Sequence, residues 1–259
     1  MRGPAFTTDP AKIFAGEPLF PVRGIPAKEF RNGIAARMPN HLGDAVMALP
    51  ALRALKTLLP RYCALVVISP AAFRPLFEAI PEVDGFLPLG RPHRFWSMKE
   101  LRELLMLHAG VGVLFNRSFR DAAMMRLAGL PMICGPAGRG GSLFFHRALR
   151  YPPLHPGGAP ATRHQARRYF DLAQALGAAG APAMPRFDLD RIAGEIPAEL
   201  REAAAGNLLL LAPGAAYGPA KRWPAANFRR VAEAYLAKGG TVAAVGGARS
   251  DERRVGTEC

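Results

Sequence analysis

Residues 37–60, RMPNHLGDAVMALPALRALKTLLP, decide the fold, because they read as the end of a strand, a tight loop and a helix. The mostly apolar run at 33–38 stops where proline, asparagine and glycine follow, and these are typical turn residues. From Ala45 onward, apolar residues recur with helical spacing. Pro50 lies inside that pattern, so we expect the helix to break there and restart with Pro50 in its first turn.

Two residues of this loop bear on chemistry. Gly43 has no Cβ and lets a ligand approach the backbone closely. Asp44 stands at the start of the helix, where its carboxylate has two interpretations. It either caps free backbone N–H groups, or acts as a catalytic carboxylate at the carboxyl end of the first strand, where open α/β sheets bind ligands. The pattern alone favours the cap.

The rest of the chain alternates between strand and helix patterns, which predicts doubly wound parallel sheets in two domains. We expect an N-terminal extension at 1–31, a first domain at 32–180, a linker at 181–205 and a second domain at 206–259. Residues 135–160 are rich in glycine and proline and are predicted to be a mobile loop. The predicted strands are 33–38, 64–69, 86–89, 111–115, 132–135, 207–212 and 241–245, and the predicted helices are 45–60, 71–79, 97–108, 121–128, 164–176 and 225–237.

The charge of the chain is strongly basic and uneven. Its net charge of +14 indicates an anionic partner, such as nucleic acid, a phosphorylated glycolipid or an anionic membrane. No acidic residue lies between Asp121 and Asp171. This interval is either a solvated basic surface or a patch for a phosphate-bearing ligand. Its arginines are Arg126, Arg139, Arg147, Arg150, Arg163, Arg167 and Arg168.

Several classes of protein are disfavoured by the sequence. The three cysteines are isolated, which argues against a disulfide framework and for a reducing compartment. The six histidines show no metal-ligand spacing, so we assign no metal. The first twenty residues have no apolar segment of a secretory signal, and no apolar run approaches the ~18 residues of a spanning helix. We therefore expect a cytosolic protein, peripherally bound to a membrane at most.

Two stretches resemble one family. The sequence PNHLGDAVMALPAL at 39–52 resembles the first loop and helix of the family 9 glycosyltransferases, the ADP-heptose:lipopolysaccharide heptosyltransferases. The sequence APGAAYGPAKRWP at 212–224 is similar to the central motif of that family, and is most like its heptosyltransferase II branch. The resemblance extends over roughly residues 32–255 and implies an inverting, metal-independent GT-B enzyme with two Rossmann-like domains.

Glycosyl transfer needs a base for the acceptor hydroxyl and positive charge for the departing diphosphate. The resemblance implies that Asp44 is the base and that Lys221 contacts the diphosphate of ADP-heptose, which is the donor substrate rather than a cofactor. It also implies that the acceptor, a phosphorylated lipid A-core glycolipid, binds the first domain at the anionic inner face of the cytoplasmic membrane. The predicted donor-binding residues are Lys221, Gly214, Ala215, Tyr217, Gly246 and Gly247, and the predicted acceptor-binding residues are Gly43, Asn116, Arg117, Arg120 and Arg139.

The segment from Gly206 to Cys259 is short for a Rossmann-like domain, which needs about 100–150 residues. We therefore expect an incomplete second domain, and a chain that as written is an inactive fragment whose first domain still folds. Two alternatives stay open. One is a family 9 enzyme with another sugar or acceptor. The other is a non-catalytic basic protein that binds nucleic acid or anionic lipid, although the aromatic-interleaved basic motifs of RNA-binding modules are missing.

Overall fold

The computed structural model describes residues 9–136, 143–149, 164–214 and 222–246. It divides between Ile192 and Ala193 into two compact units. The helices are α1 Pro10–Ile13, α2 Leu42–Met47, α3 Leu49–Lys56, α4 Arg74–Glu78, α5 Met98–Met106, α6 Phe119–Leu127, α7 Gln165–Ala175, α8 Ala198–Ala204 and α9 Ala225–Leu236. The strands are β1 Ile34–Arg37, β2 Leu65–Pro70, β3 Gly85–Leu89, β4 Val111–Leu114, β5 Met132–Pro136, β6 Arg147–Leu149, β7 Leu208–Leu211 and β8 Thr241–Ala244.

The first unit is built on a six-stranded sheet in the order β3-β2-β1-β4-β5-β6, and all of its strand pairs are parallel. Successive side chains of β1 point to opposite faces. Ile34 and Ala36 belong to one core cluster, whereas Ala35 belongs to the other. The predicted doubly wound α/β fold is confirmed for this unit.

Helices cover both faces of this sheet. Leu52 and Leu55 of α3 and Phe170 of α7 pack in the first core cluster. Leu104 of α5 and Met125 of α6 pack in the second. Because both faces are covered, β1, β2 and β4 are buried along their whole length, as parallel strands normally are.

The predicted break in the first helix is confirmed. Helix α2 ends at Met47, Ala48 caps both helices, and α3 begins at Leu49 with Pro50 as its second residue. Proline lacks the N–H that would continue the helix, and its ring clashes with the carbonyl one turn earlier. The interruption therefore separates a short helix at the loop from a longer one that is anchored in the core.

The described part of the N-terminal extension packs against α7. The N–H groups of Arg23 and Ile25 donate to the carbonyls of Ala175 and Leu176, both at 3.1 Å. The guanidinium of Arg167 donates to the carbonyls of Phe14 and Gly16 at 2.7 and 2.9 Å. Residues 9–31 thus complete one face of the first unit.

One local prediction is wrong. Residues 135–160 are not one loop, because Gly135 and Pro136 end β5, and Arg147–Leu149 form the edge strand β6 beside it. A three-residue edge strand is too short to show an apolar alternation. The interval 181–205, which we expect to be a linker, contains α8 and a 3-10 segment at Leu189–Glu195.

The second unit contains a βαβ arrangement in which β7 and β8 pair in parallel and α9 connects them. The predicted burial of the strand at 207–212 is wrong, because Leu210 is 55% exposed and no described residue from 193 onward is buried. The described sheet here has two strands, with α9 in contact with both. Across the described ranges of the whole chain, no helix combines the length and the apolar composition needed to cross a bilayer.

Candidate active site

The carboxyl ends of β1 and β4 meet in the middle of the six-stranded sheet. The helical connection after β1 leads to β2 on one side of β1, and the one after β4 leads to β5 on the other side of β4. The strand order therefore reverses its direction between β1 and β4. Arg37 and Leu114 are register partners, and the Phe115 N–H donates to the Arg37 carbonyl at 2.9 Å. Open α/β sheets bind ligands in the crevice at such a switch point. The loops at 38–41 and 115–118 therefore flank the expected ligand crevice.

Asp44 lies on the β1 side of this crevice, as the third residue of α2. The N-cap residue is His41, and α2 has no side-chain capping bond. Within the described residues, no hydrogen bond or ion pair involves the half-buried Asp44 carboxylate. The capping interpretation therefore does not describe Asp44, and its oxygens are available to accept a proton from a ligand hydroxyl.

Gly43 precedes Asp44 and is exposed. A Cβ built at Gly43 meets nothing within 4 Å among the described atoms, and the residue does not have positive φ. The described neighbours thus give neither a steric nor a conformational reason for glycine at this position. The space above the first turn of α2 is open to a ligand.

Beneath the loop lies a buried ion pair. The Nε of Arg37 and the Oδ2 of Asp121 are 2.8 Å apart, and both side chains are fully buried. The two terminal nitrogens of Arg37 donate to the Met38 carbonyl and to the Asn40 Oδ1, each at 2.5 Å. Asn40 in turn donates through Nδ2 to the Pro92 carbonyl at 3.2 Å. One guanidinium therefore holds two positions of the loop that leads to Asp44.

Asp121 joins this ion pair to the β4 side of the crevice. Its Oδ1 accepts from the Trp96 Nε1 at 3.0 Å, and its Oδ2 accepts from the Asn116 Nδ2 at 2.7 Å. The Asp121 N–H donates to the Ser118 hydroxyl, which caps α6. Because the carboxylate is paired and hydrogen-bonded, its burial is compensated; removing one partner of such a pair costs about 3–5 kcal/mol.

The charge state of Arg37 reflects this environment. Burial lowers the pKa of the Arg37 guanidinium below its ordinary value, while the negative charge of Asp121 and its hydrogen bond raise it, and the positive charge of Arg120 adds to the lowering. Arg120 lies on the first turn of α6, immediately before Asp121. This half-buried residue brings positive charge to the β4 side of the crevice.

Sequence reasoning missed the Arg37–Asp121 pair. A charged residue within an otherwise apolar strand was the available signal, since Arg37 is the one charged residue of the run at 33–38. Its partner lies on another helix far along the chain, and no local spacing connects the two. The pair could be identified only once β1 and β4 were known to be neighbours.

The structure brings most of the predicted acceptor-binding residues to one edge of the sheet. Gly43 belongs to α2, Asn116 and Arg117 follow β4, and Arg120 belongs to α6, whereas Arg139 lies outside the described residues. The Asn116 amide donates to Asp121, and its oxygen accepts from the Ser118 N–H at 3.2 Å. Asn116 therefore contributes to holding its loop, while Arg117 is exposed.

The acid-free interval is not a uniform basic surface. Arg167 is buried, and its Nε lies 2.8 Å from Asp171. Arg147 donates to the carbonyls of Arg23 and Gly24. These two arginines hold the N-terminal segment on the first unit, so only part of the basic charge is available to an anionic ligand.

The predicted donor-binding residues belong to the second unit. Gly214 follows β7 and Gly246 follows β8, so both lie beyond the carboxyl ends of parallel strands. Trp223 packs edge-on against Phe228 with ring centroids 5.0 Å apart, as a packing anchor does. Lys221, Ala215, Tyr217 and Gly247 lie outside the described residues. In the described ranges of both units, no group of three or more metal-ligating side chains forms a metal site.

Comparisons with known proteins identify the family of the chain. The profile of the family described as glycosyltransferase family 9 (heptosyltransferase) matches residues 99–258. The chain belongs to glycosyltransferase family 9. This family 9 chain is 27% identical over 232 residues to lipopolysaccharide heptosyltransferase 2 of Salmonella typhimurium, an alignment that covers 83% of the chain and 63% of the relative. The chain thus spans less than two thirds of the length of that curated relative.

Two solved structures share the fold of this family 9 chain. The E. coli ADP-heptose lipopolysaccharide heptosyltransferase II superposes with a TM-score of 0.62 at 23% identity, covering 83% of this chain and 65% of that one. An E. coli heptosyltransferase determined with ADP superposes with a TM-score of 0.60 at 15% identity, covering 83% and 67%. The predicted GT-B-like fold class is therefore confirmed.

Proposed function

We propose that the protein transfers a heptose from ADP-heptose to the inner core of lipopolysaccharide or lipooligosaccharide. One observation supports this proposal: Asp44 follows β1, beside which the strand order reverses, and its carboxylate has no hydrogen bond or ion pair among the described residues. Membership of an enzyme family favours transfer over the alternative of a non-catalytic basic binding protein. The similarity to heptosyltransferase II supports heptose over other sugars.

The proposed chemistry uses residues of both units. Asp44 takes the proton from the acceptor hydroxyl while the oxygen of that hydroxyl attacks the anomeric carbon of the heptose. The bond from that carbon to the diphosphate breaks, and ADP leaves with the electron pair. Attack on the face opposite the leaving group inverts the configuration. Lys221 and the backbone N–H groups after β7, near Gly214, compensate the charge that develops on the diphosphate, so the step needs no metal.

Binding specificity tests this proposal without requiring turnover. Calorimetry should show ADP binding to the protein, with weaker binding of UDP and of a random RNA of similar charge. RNA or anionic lipid bound as tightly as ADP would favour the non-catalytic alternative. A nucleotide other than ADP bound more tightly would point to a family 9 enzyme with another donor.

The acceptor is proposed to be phosphorylated, because positive charge lies on the β4 side of the crevice. We expect that replacing Arg117, Arg120 and Arg139 with glutamine raises the apparent KM for the acceptor several-fold, because long-range attraction to phosphate is lost. The effect should be larger at low salt, where screening is weak. Steady-state kinetics at two ionic strengths measure it. If the KM of the variant for the acceptor equalled that of the unchanged protein at both ionic strengths, these arginines would serve solubility and not acceptor binding.

A peripheral contact with the anionic membrane is proposed for α5 and the residues before it. Phe95, Met98 and Met106 are 62%, 70% and 69% exposed, and the exposed cations Arg94 and Arg102 lie among them. Exposed apolar side chains interspersed with cations suit an anionic bilayer surface. We expect the double change Met98→Ser and Met106→Ser to reduce co-sedimentation with phosphatidylglycerol vesicles several-fold. Equal sedimentation of both proteins would place the membrane contact elsewhere.

A further inference from the structure

The loop that carries Asp44 is held from below by groups that the transfer reaction does not consume. Arg37 ends β1, and its guanidinium donates to the Met38 carbonyl and the Asn40 Oδ1, both at 2.5 Å. Asn40 immediately precedes His41, the N-cap residue of α2, and lies four residues before Asp44. Any movement of Asn40 therefore shifts the start of the helix that presents the carboxylate.

The same guanidinium is fixed from the other side of the crevice. Asp121 lies 2.8 Å from the Arg37 Nε and accepts hydrogen bonds from Trp96 and Asn116. Asn40 donates a hydrogen bond to the Pro92 carbonyl, which connects the segment after β3 to the same network. Three segments that follow β1, β3 and β4 are thereby joined through one buried ion pair.

This arrangement is more than the burial of one charge requires. A buried arginine with no further role needs only a counter-ion, yet both terminal nitrogens of Arg37 also donate hydrogen bonds to the loop. We propose that Arg37, Asn40 and Asp121 are positioning residues that fix the β1–α2 loop, and with it the Asp44 carboxylate, against the β4 side of the crevice. The claim that the ion pair fixes the loop rests on the geometry, and the claim that this positions a catalytic group rests on the proposed function. Misplacing a catalytic group by about 1 Å can cost on the order of 10²-fold in rate.

The protein contains a matched control for the buried charge. Asp171 is also fully buried and also lies 2.8 Å from an arginine Nε, that of Arg167, but it belongs to α7 and its arginine binds the N-terminal segment. Asp121→Asn and Asp171→Asn are therefore the same chemical change in two comparable ion pairs. Asn40→Ala is the milder variant, since it leaves the Arg37–Asp121 pair intact. Asn40→Asp keeps the acceptor for Arg37 and serves as the rescue.

The test compares these variants, made in a form of the enzyme whose second domain is complete, in two measurements at a temperature where all are folded. Hydrogen exchange without substrate should be at least tenfold faster at residues 38–45 in Asp121→Asn and Asn40→Ala than in Asp171→Asn. In the transfer assay, kcat should fall at least tenfold in Asp121→Asn and Asn40→Ala, while the KM for ADP-heptose changes less than twofold. Asn40→Asp should retain most of the kcat of the unchanged protein.

Each outcome decides the proposal. Exchange at 38–45 that matches the Asp171→Asn control would overturn it, as would a kcat within twofold of that control. If the unchanged protein transfers no sugar, the proposed function fails, and exchange still decides whether the ion pair fixes the loop.

Discussion

In a form of the enzyme whose second domain is complete, replacing Asp44 with alanine should lower the rate of heptose transfer by about 10²–10⁴-fold, the usual cost of losing a general base. The carboxylate lies at the switch point and is not used in a cap or an ion pair in the described structure, so its loss should cost little stability. The affinity for ADP should change little, because the donor is expected to bind the second unit. Single-turnover rates and calorimetry measure the two quantities.

A true helix cap provides the control. Asp9 caps α1, and its Oδ1 accepts from the Ala11 N–H at 2.9 Å. Asp9→Ala should therefore affect stability alone, by about 0.5–2 kcal/mol at most. If Asp44→Ala behaved in the same way, with turnover retained and only the melting temperature lowered, Asp44 would not be the base.

Replacing Lys221 with alanine should weaken ADP binding about 10–100-fold. Hydrogen bonds to charged groups contribute about 1.5–3 kcal/mol, and each 1.4 kcal/mol is a factor of ten in affinity. Transfer should slow as well, because the same ammonium is proposed to meet the charge on the departing diphosphate. Calorimetric titration with ADP measures the first effect, and the rate at saturating donor measures the second.

Lys238→Ala is the matched control for this experiment. Lys238 is an exposed lysine of the same unit, just after α9, and no role in binding is proposed for it. Lys238→Ala should leave ADP affinity unchanged. An ADP affinity for Lys221→Ala equal to that of Lys238→Ala would remove Lys221 from the donor site.

The course of the backbone was predictable where local patterns are long and apolar. Helix α7 shows helical spacing, with Tyr169, Leu172 and Leu176 buried as predicted. The break at Pro50 follows from the chemistry of proline itself. Strand β6 could not be predicted, because three residues at a sheet edge carry no periodicity. The burial of β7 was overestimated, because a leucine run reports apolarity but not what covers it.

The candidate site was predictable to the same extent and for a related reason. Residues that follow parallel strands lie at one edge of the sheet, so Asp44 and Arg117 could be placed together from sequence. The order of the strands could not be read from local patterns. The contacts of Arg37 depend on that order, because Asp121 becomes its neighbour only when β1 lies beside β4.

The most direct test is to incubate a form of the enzyme whose second domain is complete with ADP-heptose and an inner-core lipopolysaccharide acceptor that lacks the heptose, with a chelator present. Mass spectrometry should show the acceptor gaining one heptose, with an equal amount of ADP released, and Asp44→Asn should show neither. A folded protein that binds ADP but leaves the acceptor mass unchanged, or that transfers a different sugar in preference, would contradict the assignment as an ADP-heptose-dependent transferase.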